Sequence, residues 1–587
     1  MSYALSWEAA LAEITAPGRP HELTERDFGA YQVPSFKHLP GHLSDIYRAA
    51  AETHGDKTFL VYEDTRLSFS EAWAQAQALA VGLATRYGVV RGDRVALALR
   101  NYPEWILAFM AATALGAVAV PVNAWWTEEE MAYGLKDSGA KVVVVDDERL
   151  VRLPAARQEN PELVVLTVRS TAGDSSTAAV EDLLAAFAGE PCPAHGGSVD
   201  DDAMILYTSG TTGFPKGAVS THYAVLSAVL AFESNQALFA RRAPPAPEAP
   251  VLDPAMLVSV PLFHVTGSNA IFLTAFRPGR KLVLMYKWNA EEALSLIERE
   301  RVTSFTGVPT MTWEMLQCEN FDQYDTSSLQ SIGGGGAPAP PEQVRQVEAR
   351  FKGRPGIGYG LTESNAVGAQ NNGDDYLARP RSTGRPPCVV AIEAFDDQGQ
   401  QCPRGTLGEL WMKGPHLFRG YWNRPEATAE ALQNGWFKTG DIGRVDEDGF
   451  VTIEDRKKDM VLRGGENVYC AEVEGALYEL PGVSEAIVFG LPHERLGEEV
   501  AAVIVAAPGA AFEAEAVRAK LRESLAHFKV PSQLFFQETP LPRNASGKFL
   551  KREVRAALLA AGAVGAWRAA LVPLGVPSPS RGRSPRA

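Results

Sequence analysis

The segment ILYTSGTTGFPKGA at residues 205–218 has the strongest chemical signal in the sequence, because an apolar strand runs there into a polar, glycine-containing loop. Glycines let backbone N–H groups approach phosphate oxygens, hydroxyl groups add donors, and a lysine adds positive charge. The GxxxxGK[ST] spacing of a Walker loop is absent, and the length of the segment disfavours a plain Gly/Thr turn. We therefore predict a phosphate-binding loop with the contact residues Thr208, Ser209, Gly210, Thr211, Thr212, Gly213 and Lys216.

Six further motifs follow along the chain. They are PLFHVTG at 261–267, GGGGAP at 333–338, YGLTES at 359–364, WFKTGD at 436–441, DRKKDMVLRGGENVY at 455–469 and PRNASGK at 542–548. Together with the loop above, and in the same order, they resemble the motifs of the adenylate-forming (AMP-binding) superfamily, which comprises acyl-CoA synthetases, nonribosomal-peptide adenylation domains and firefly luciferase. The resemblance spans about residues 40 to 555 and points to the acyl-CoA synthetase, or fatty-acid–CoA ligase, branch.

Several of these residues suit the binding of ATP. Attack of a carboxylate on the α-phosphate needs Mg²⁺ and cations that offset the developing charge. Thr362 can donate to phosphate, Glu363 can hold Mg²⁺ and Tyr359 offers a flat face for adenine, and the resemblance implies these uses. Asp441 suits the ribose hydroxyls, and Arg456 can donate to the same sugar. The resemblance adds the nucleotide contacts Gly335, Gly336, Ala337 and Gly360, and it implies that Thr208, Glu363 and Lys548 are catalytic.

The resemblance also assigns roles near the C-terminus. The ammonium of Lys548 is expected to bridge the carboxylate of the acid and the phosphate during adenylation. Lys458, two residues after Arg456, matches the interdomain hinge, where many relatives have Asp instead. Gly464 and Gly465 lie in the segment that matches the pantetheine tunnel for coenzyme A.

The acyl pocket is less clearly marked. His264 follows an apolar strand, where a lone histidine is most often a core residue. The resemblance instead implies that it forms a wall of the pocket and orients the substrate. Val308 and Gly333 are further candidates for substrate contact, because small and apolar walls suit an aliphatic chain. Residues 263–266 include no carboxylate that could pair with the ammonium of an amino acid, so an uncharged acyl group is favoured.

The pattern of the chain predicts an α/β fold. Apolar β-rich runs alternate with helical patterns from about residue 59 to 170, which favours parallel-rich sheets. The run 106–122 is too short for a membrane span and predicts a buried helix leading into a buried strand. We expect a large N-terminal domain at 1–457 and, as the resemblance implies, a small mobile α+β domain at 458–565. The Pro/Ala-rich stretch 241–254 predicts a surface loop, and the residues 572–587 predict a disordered tail.

Composition narrows the class of protein. The apolar and charged fractions, 46% and 22%, are typical of soluble proteins, and a net charge of −15 disfavours nucleic acid as a partner. The scattered cysteines have no metal-ligand spacing, and the first residues lack the pattern of a secretory signal, so a cytoplasmic location is expected. The expected partners are a small carboxylic acid, ATP with Mg²⁺, and CoA, with no transmembrane segment and with a homodimer as a candidate assembly.

The sequence therefore predicts an ATP-dependent ligase that joins a medium- or long-chain fatty acid to CoA through an acyl-adenylate. An aryl or other specialised acid–CoA ligase shares every motif. An adenylation enzyme that loads a carrier protein is a further alternative, although no carrier domain follows Lys548. The motifs do not exclude a luciferase-like oxygenase, whereas a non-catalytic binding protein is expected to have lost Lys548 or Glu363.

Overall fold

The computed structural model describes residues 3–172, 176–194, 196–208, 215–244, 251–335, 341–351, 353–464, 466–544 and 547–560. These residues fall into two compact units. Unit 1 comprises Met1–Thr439 and Arg444–Thr452, and unit 2 comprises Gly440–Gly443 and the chain from Ile453 onward. The domain limits given above, 1–457 and 458–565, stay a prediction, and the predicted tail at 572–587 lies outside the described residues.

Strands and helices are numbered along the chain. The strands are β1 (Leu23–Asp27), β2 (Gln32–Phe36), β3 (Thr58–Tyr62), β4 (Thr65–Ser68), β5 (Arg94–Ala98), β6 (Val118–Pro121), β7 (Val142–Val145), β8 (Val164–Thr167), β9 (Ala178–Ala179), β10 (Asp202–Thr208), β11 (Lys216–Thr221), β12 (Ala255–Val258), β13 (Lys281–Leu284), β14 (Ser304–Gly307), β15 (Ser331–Gly335), β16 (Arg354–Tyr359), β17 (Ala369–Asn372), β18 (Ala391–Phe395), β19 (Gly408–Lys413), β20 (Gly420–Tyr421), β21 (Leu432–Gln433), β22 (Trp436–Val445), β23 (Val451–Arg456), β24 (Val461–Arg463), β25 (Glu466–Val468), β26 (Val483–His493), β27 (Gly497–Ala506) and β28 (Gln533–Gln537). The α-helices are α1 (Trp7–Ile14), α2 (Leu43–His54), α3 (Phe69–Tyr87), α4 (Pro103–Ala114), α5 (Glu128–Ser138), α6 (Asp147–Leu150), α7 (Pro154–Glu159), α8 (Val180–Ala186), α9 (His222–Arg242), α10 (Ala290–Glu300), α11 (Pro309–Leu316), α12 (Pro341–Phe351), α13 (Gly373–Ala378), α14 (Pro425–Ala431), α15 (Cys470–Tyr478), α16 (Ala514–Leu521) and α17 (Lys551–Ala560).

Two large sheets dominate unit 1. The first has the order β20-β11-β10-β6-β5-β7-β8-β9, in which β11 pairs antiparallel with both β10 and β20 and the other pairs are parallel. The second has the order β17-β16-β15-β14-β12-β13-β3-β4, with six parallel central strands and an antiparallel strand at each edge. A third sheet joins β18, β19, β22 and β21, and β23 pairs with β22. The predicted α/β class with parallel-rich sheets is confirmed.

Local sequence explains the central elements of the first sheet. All four valines of β7 are buried, as expected for a β-branched strand with both faces covered. Helix α4 begins at Pro103, which suits the first helical position, and all its residues except Glu104 are buried. It leads through Gly116, which has a positive φ of 73°, into the buried strand β6. The predicted buried helix and strand at 106–122 are therefore present. Within the described residues, no helix is long and apolar enough to cross a membrane.

In unit 2, the described residues between 461 and 537 form a sheet with a core on each face. Its order is β25-β24-β27-β26, with β28 pairing parallel to β27. Alternate residues of β27 point to opposite faces: Val500, Ala502 and Ile504 pack with α15 and α16, whereas Ala501, Val503 and Val505 pack with α17. This is the expected α+β arrangement of the smaller unit.

The predicted surface loop at 241–254 is wrong at its first two residues. Arg241 and Arg242 are the last residues of α9 and not part of a loop. Arg242 is buried because its guanidinium pairs with Asp375 at 2.6 Å and lies over the ring of Tyr3 at 3.8 Å. Residues 245–250 lie outside the described residues.

Candidate active site

The predicted phosphate loop is bounded by a β-hairpin. Thr208 ends β10, Lys216 begins β11, and the two residues are direct partners in the antiparallel register. The Thr208 hydroxyl donates to the Lys216 carbonyl at 3.4 Å. The hairpin therefore brings both ends of the loop together. The predicted contacts Ser209, Gly210, Thr211, Thr212 and Gly213 lie outside the described residues.

Several other predicted residues lie at one edge of the second sheet. Strands β14, β15 and β16 are parallel neighbours, with Gly307 opposite Gly334 and Gly335 opposite Gly358. Gly333 and Gly335 lie near the end of β15, Tyr359 ends β16, and Val308 directly follows β14. The carboxyl ends of parallel strands are the usual ligand-binding edge of an α/β sheet. Gly336 and Ala337 lie outside the described residues.

The loop after β16 is tightly constrained. A side chain at Gly360 would meet the Ala366 carbonyl at 2.2 Å, so only glycine fits there. Thr362–Ser364 form a 3₁₀ turn in which the Leu361 N–H donates to the Ser364 hydroxyl at 2.9 Å. Asn365 and Ala366 then have positive φ angles of 50° and 68°. Non-glycine residues with such angles are strained and occur often at functional sites.

Glu363 is held in this loop by residues from the β20 region. The residue is 8% exposed. The Tyr421 hydroxyl donates to Glu363 Oε1 at 2.8 Å, and the Phe418 N–H donates to the Glu363 carbonyl at 2.8 Å. Lys216 Nζ lies 4.9 Å from the centre of the Tyr421 ring. One tyrosine thus contacts both the lysine at the end of the predicted phosphate loop and the predicted Mg²⁺ ligand.

Sequence reasoning missed Tyr421. It lies in RGYW at 419–422, which shows no obvious chemistry, and it comes 58 residues after Glu363. Its position follows from the pairing of β20 with β11, in which Tyr421 lies opposite Ala218. Burial, and next the Glu363 carboxylate, raise the pKa of the Tyr421 phenol above its ordinary value, so that the hydroxyl stays protonated and donates.

The donor set fits Mg²⁺. Within the described residues, no group of three or more His, Cys, Asp or Glu side chains could hold a metal ion. In nucleotide-dependent enzymes Mg²⁺ needs only one or two carboxylates, because substrate phosphates and waters supply the other oxygens. A single carboxylate such as that of Glu363 is therefore compatible with a nucleotide-bound Mg²⁺.

His264 lies where the chain enters a π-helix. Its Nδ1 accepts from the Thr266 N–H at 3.3 Å, which fixes the ring, and the π-helix then runs over Thr266–Phe272. π-Helical turns are frequent at functional sites. From this helix Asn269 donates to Asn365 Oδ1 at 2.9 Å. The His264 segment and the Glu363 loop are therefore joined by a buried hydrogen bond.

Unit 2 contains the predicted ribose contacts. The Asp441 side chain is 2% exposed, and its Oδ1 lies 2.6 Å from Arg456 Nε. Lys458 lies in the turn between β23 and β24, and burial lowers its pKa from the ordinary value. Gly464 has a positive φ of 62°, and its N–H donates to the Leu496 carbonyl at 2.8 Å. Gly465 lies outside the described residues.

Lys548 is bonded to Asn544 in unit 2, and residues 545–546 lie outside the described residues. The Lys548 N–H donates to Asn544 Oδ1 at 2.9 Å, and the Asn544 N–H donates to the Lys548 carbonyl at 2.9 Å. The Arg543 guanidinium donates to the Gly547 carbonyl at 2.9 Å and to Glu485 Oε1 at 2.8 Å. The backbone of Lys548 is thus fixed although the residue lies outside any helix or strand.

Comparisons with known proteins agree with this arrangement. Residues 47–422 match the AMP-binding enzyme family, and residues 472–548 match the AMP-binding enzyme C-terminal domain. The long-chain-fatty-acid–CoA ligase FadD13 of Mycobacterium tuberculosis is 38% identical over 84% of this chain and 93% of that relative. A feruloyl-CoA synthase of Amycolatopsis is 35% identical over 87% of this chain and 97% of its own length.

A solved structure shows the same fold. The O-succinylbenzoate coenzyme A synthetase MenE of Bacillus subtilis, in complex with ATP and a magnesium ion, superposes with a TM-score of 0.73 at 28% identity, over 88% of this chain and 99% of that one. The chain therefore belongs to the AMP-binding enzyme family, and within this adenylate-forming superfamily to the acyl-CoA synthetase branch of AMP-forming acid–thiol ligases.

Proposed function

We propose that the chain joins a medium- or long-chain fatty acid to coenzyme A in two half-reactions. In the first, a carboxylate oxygen of the acid attacks the α-phosphate of ATP, and pyrophosphate leaves with the electrons of the broken phosphoanhydride bond. In the second, the thiol of CoA attacks the acyl carbon, the thioester forms, the thiol proton is released and AMP leaves.

The contact of Tyr421 with both Lys216 and Glu363 is the observation that best supports the first half-reaction. Lys216 supplies a cation at the end of the phosphate loop, and Glu363 supplies the carboxylate for Mg²⁺. Bound Mg²⁺ neutralises phosphate oxygens and so favours the departure of pyrophosphate. Thr208 adds a hydroxyl donor beside Lys216.

The remaining roles rest on the matched motifs. We assign Tyr359 to adenine, and Thr362 to a phosphate oxygen. Asp441 and Arg456 would contact the ribose, and their mutual ion pair at 2.6 Å keeps both side chains oriented before nucleotide binds. Lys548 offsets the charge that develops as the carboxylate attacks, which is the largest kind of contribution an enzyme group makes in such reactions.

The character of the acyl site supports an apolar acid. Phe263 and Val265 flank His264 and are buried, and Val308 is 8% exposed. The π-helix TGSNAIF has no charged side chain, so none of these residues would pair with a substrate ammonium. A fatty acid would gain roughly 0.8 kcal/mol for each CH₂ buried against such walls.

An aryl acid is the second candidate. The feruloyl-CoA synthase relative spans nearly the same share of this chain as FadD13, and a planar ring also suits apolar walls.

The test is a pyrophosphate-release assay with straight-chain acids from butanoate to stearate, with ferulate, succinylbenzoate and amino acids, each with and without CoA. We expect kcat/KM to rise about four-fold for each added CH₂ until the pocket ends. A preference for ferulate or succinylbenzoate would mean that the substrate is an aryl acid and not a fatty acid. Release that depends on an amino acid would refute both.

A further inference from the structure

The geometry points to Tyr421 as a positioning residue that fixes Glu363 for Mg²⁺ and, through its ring, Lys216 for phosphate. This inference rests on the proposed function, because it takes Glu363 as the Mg²⁺ ligand. It adds a residue that none of the motifs predicts.

The hydroxyl of Tyr421 sets the direction of one carboxylate oxygen. It donates to Glu363 Oε1 at 2.8 Å, and Glu363 is only 8% exposed, so water has little access to replace this donor. A carboxylate that binds a metal is commonly oriented by such a hydrogen bond, and loss of the partner typically weakens metal binding 10- to 100-fold.

The ring of Tyr421 acts separately from its hydroxyl. Lys216 Nζ lies 4.9 Å from the ring centre, within the range of a cation–π interaction. The ring is itself held by an edge contact with Phe418, at 4.9 Å between centroids. Substitutions that remove only the hydroxyl, or the whole ring, can therefore distinguish the two contacts.

The backbone makes this position rigid. The Tyr421 N–H donates to the Thr428 hydroxyl at 2.9 Å. The residues on either side of β20 bond to β11, because the Arg419 N–H donates to the Val219 carbonyl and the Trp422 N–H donates to the Gly217 carbonyl. Strand β11 begins at Lys216. Tyr421 and Lys216 therefore belong to the same pair of strands, and a fixed spacing between them follows.

The test measures the binding of ATP to the full chain by isothermal titration calorimetry over a series of Mg²⁺ concentrations. The Mg²⁺ midpoint is the Mg²⁺ concentration that gives half of the Mg²⁺-dependent gain in ATP affinity. For Tyr421→Phe we expect this midpoint to rise at least 10-fold. ATP affinity without Mg²⁺ should not change, because the ring remains. Tyr421→Leu should in addition weaken ATP binding without Mg²⁺ by about two- to five-fold.

Tyr47→Phe is the matched control. It removes the hydroxyl of another buried tyrosine of unit 1, which pairs with Thr113 at 3.2 Å. Its Mg²⁺ midpoint should equal that of the wild type. An unchanged midpoint in Tyr421→Phe, with or without a loss of folded protein, would overturn the inference.

Glu363→Gln separates this inference from the proposed function. If Glu363→Gln leaves the Mg²⁺ midpoint unchanged, the Mg²⁺ role of Glu363 is wrong, and the inference falls with it. If Glu363→Gln shifts the midpoint and Tyr421→Phe does not, only the inference fails. The double variant should behave like Glu363→Gln alone, because both changes act on one carboxylate; independent, multiplying effects would contradict the positioning role.

Discussion

Replacement of His416 by leucine should make unit 1 less sensitive to acid. His416 follows β19 and precedes β20 along the chain. It is fully buried, and neither ring nitrogen has a hydrogen-bond partner among the described residues. Burial lowers the pKa of this imidazole from 6.5 to about 3. The native state therefore keeps the ring neutral at a pH where the unfolded chain binds a proton.

The size of the effect follows from linkage. A depressed pKa gives stability that is fully present above the unfolded value of 6.5 and is lost as the pH falls toward about 3. The loss is about 1.4 kcal/mol per pH unit, or about 2 kcal/mol at pH 5. His416→Leu removes this titration at similar volume. Relative to wild type, the free energy of unfolding of the variant should thus rise by about 2 kcal/mol between pH 7.5 and pH 5.

Tryptophan fluorescence during urea unfolding follows mainly unit 1, because ten of the eleven tryptophans lie between residues 7 and 436. His38→Leu is the control, since His38 is an exposed histidine of the same unit, and it should show a change of only a few tenths of a kcal/mol. If wild type and His416→Leu lose stability in parallel from pH 7.5 to pH 5, the buried neutral histidine is refuted.

Three other substitutions test unit 2. Lys548→Ala should lower the rate of acyl-adenylate formation by a factor of about 10² to 10³, as expected for the loss of a cation aimed at developing charge. The variant should still convert supplied acyl-AMP and CoA to acyl-CoA. Near-normal pyrophosphate release would disprove this role. Lys458→Pro should slow thioester formation more than adenylation, because proline fixes φ near −65° at a hinge; equal losses in separately measured half-reactions would exclude a hinge. Lys551→Met should destabilise unit 2 by about 3 kcal/mol, because it removes the cationic partner that the Glu474 carboxylate contacts at 2.6 Å. Hydrogen exchange of β26 and β27 measures this loss, and Lys551→Met/Glu474→Gln should restore most of it.

Much of the fold could be predicted because its signals are local. The valines of β7 and the apolar helix α4 indicate burial from their own composition. The division of strands between sheets could not be predicted this way. The runs FLVY and VALAL look alike, yet the parallel partner of β3 is β13, far along the chain, whereas the parallel partners of β5 are its near neighbours β6 and β7. Strand pairing depends on contacts between distant segments, and a local sequence pattern carries no information about those contacts.

The same distinction applies to individual residues of the site. Glu363 lies in a motif with recognisable chemistry, whereas the role of Tyr421 depends on an edge strand that forms only in the folded sheet. Arg242 was misjudged for a related reason. The prolines and alanines that follow it predict a loop, but the ion pair with Asp375 keeps Arg242 in the last turn of α9.

The strained loop after Glu363 shows how distant residues determine the site. The positive φ angles of Asn365 and Ala366 each cost on the order of 1–3 kcal/mol. Three buried hydrogen bonds hold the loop: from Asn269 to Asn365, from Asn365 to the His416 carbonyl, and from Phe418 to the Glu363 carbonyl. Each contributes about 1 kcal/mol net, which offsets much of the strain. A loop that served only as a connection could relax into an unstrained path and would need none of these bonds. The strain is therefore best explained by a requirement on the direction of the Glu363 carboxylate. His416 holds this loop with its backbone carbonyl and not with its ring. His416→Leu should therefore leave the Mg²⁺ midpoint for ATP binding unchanged.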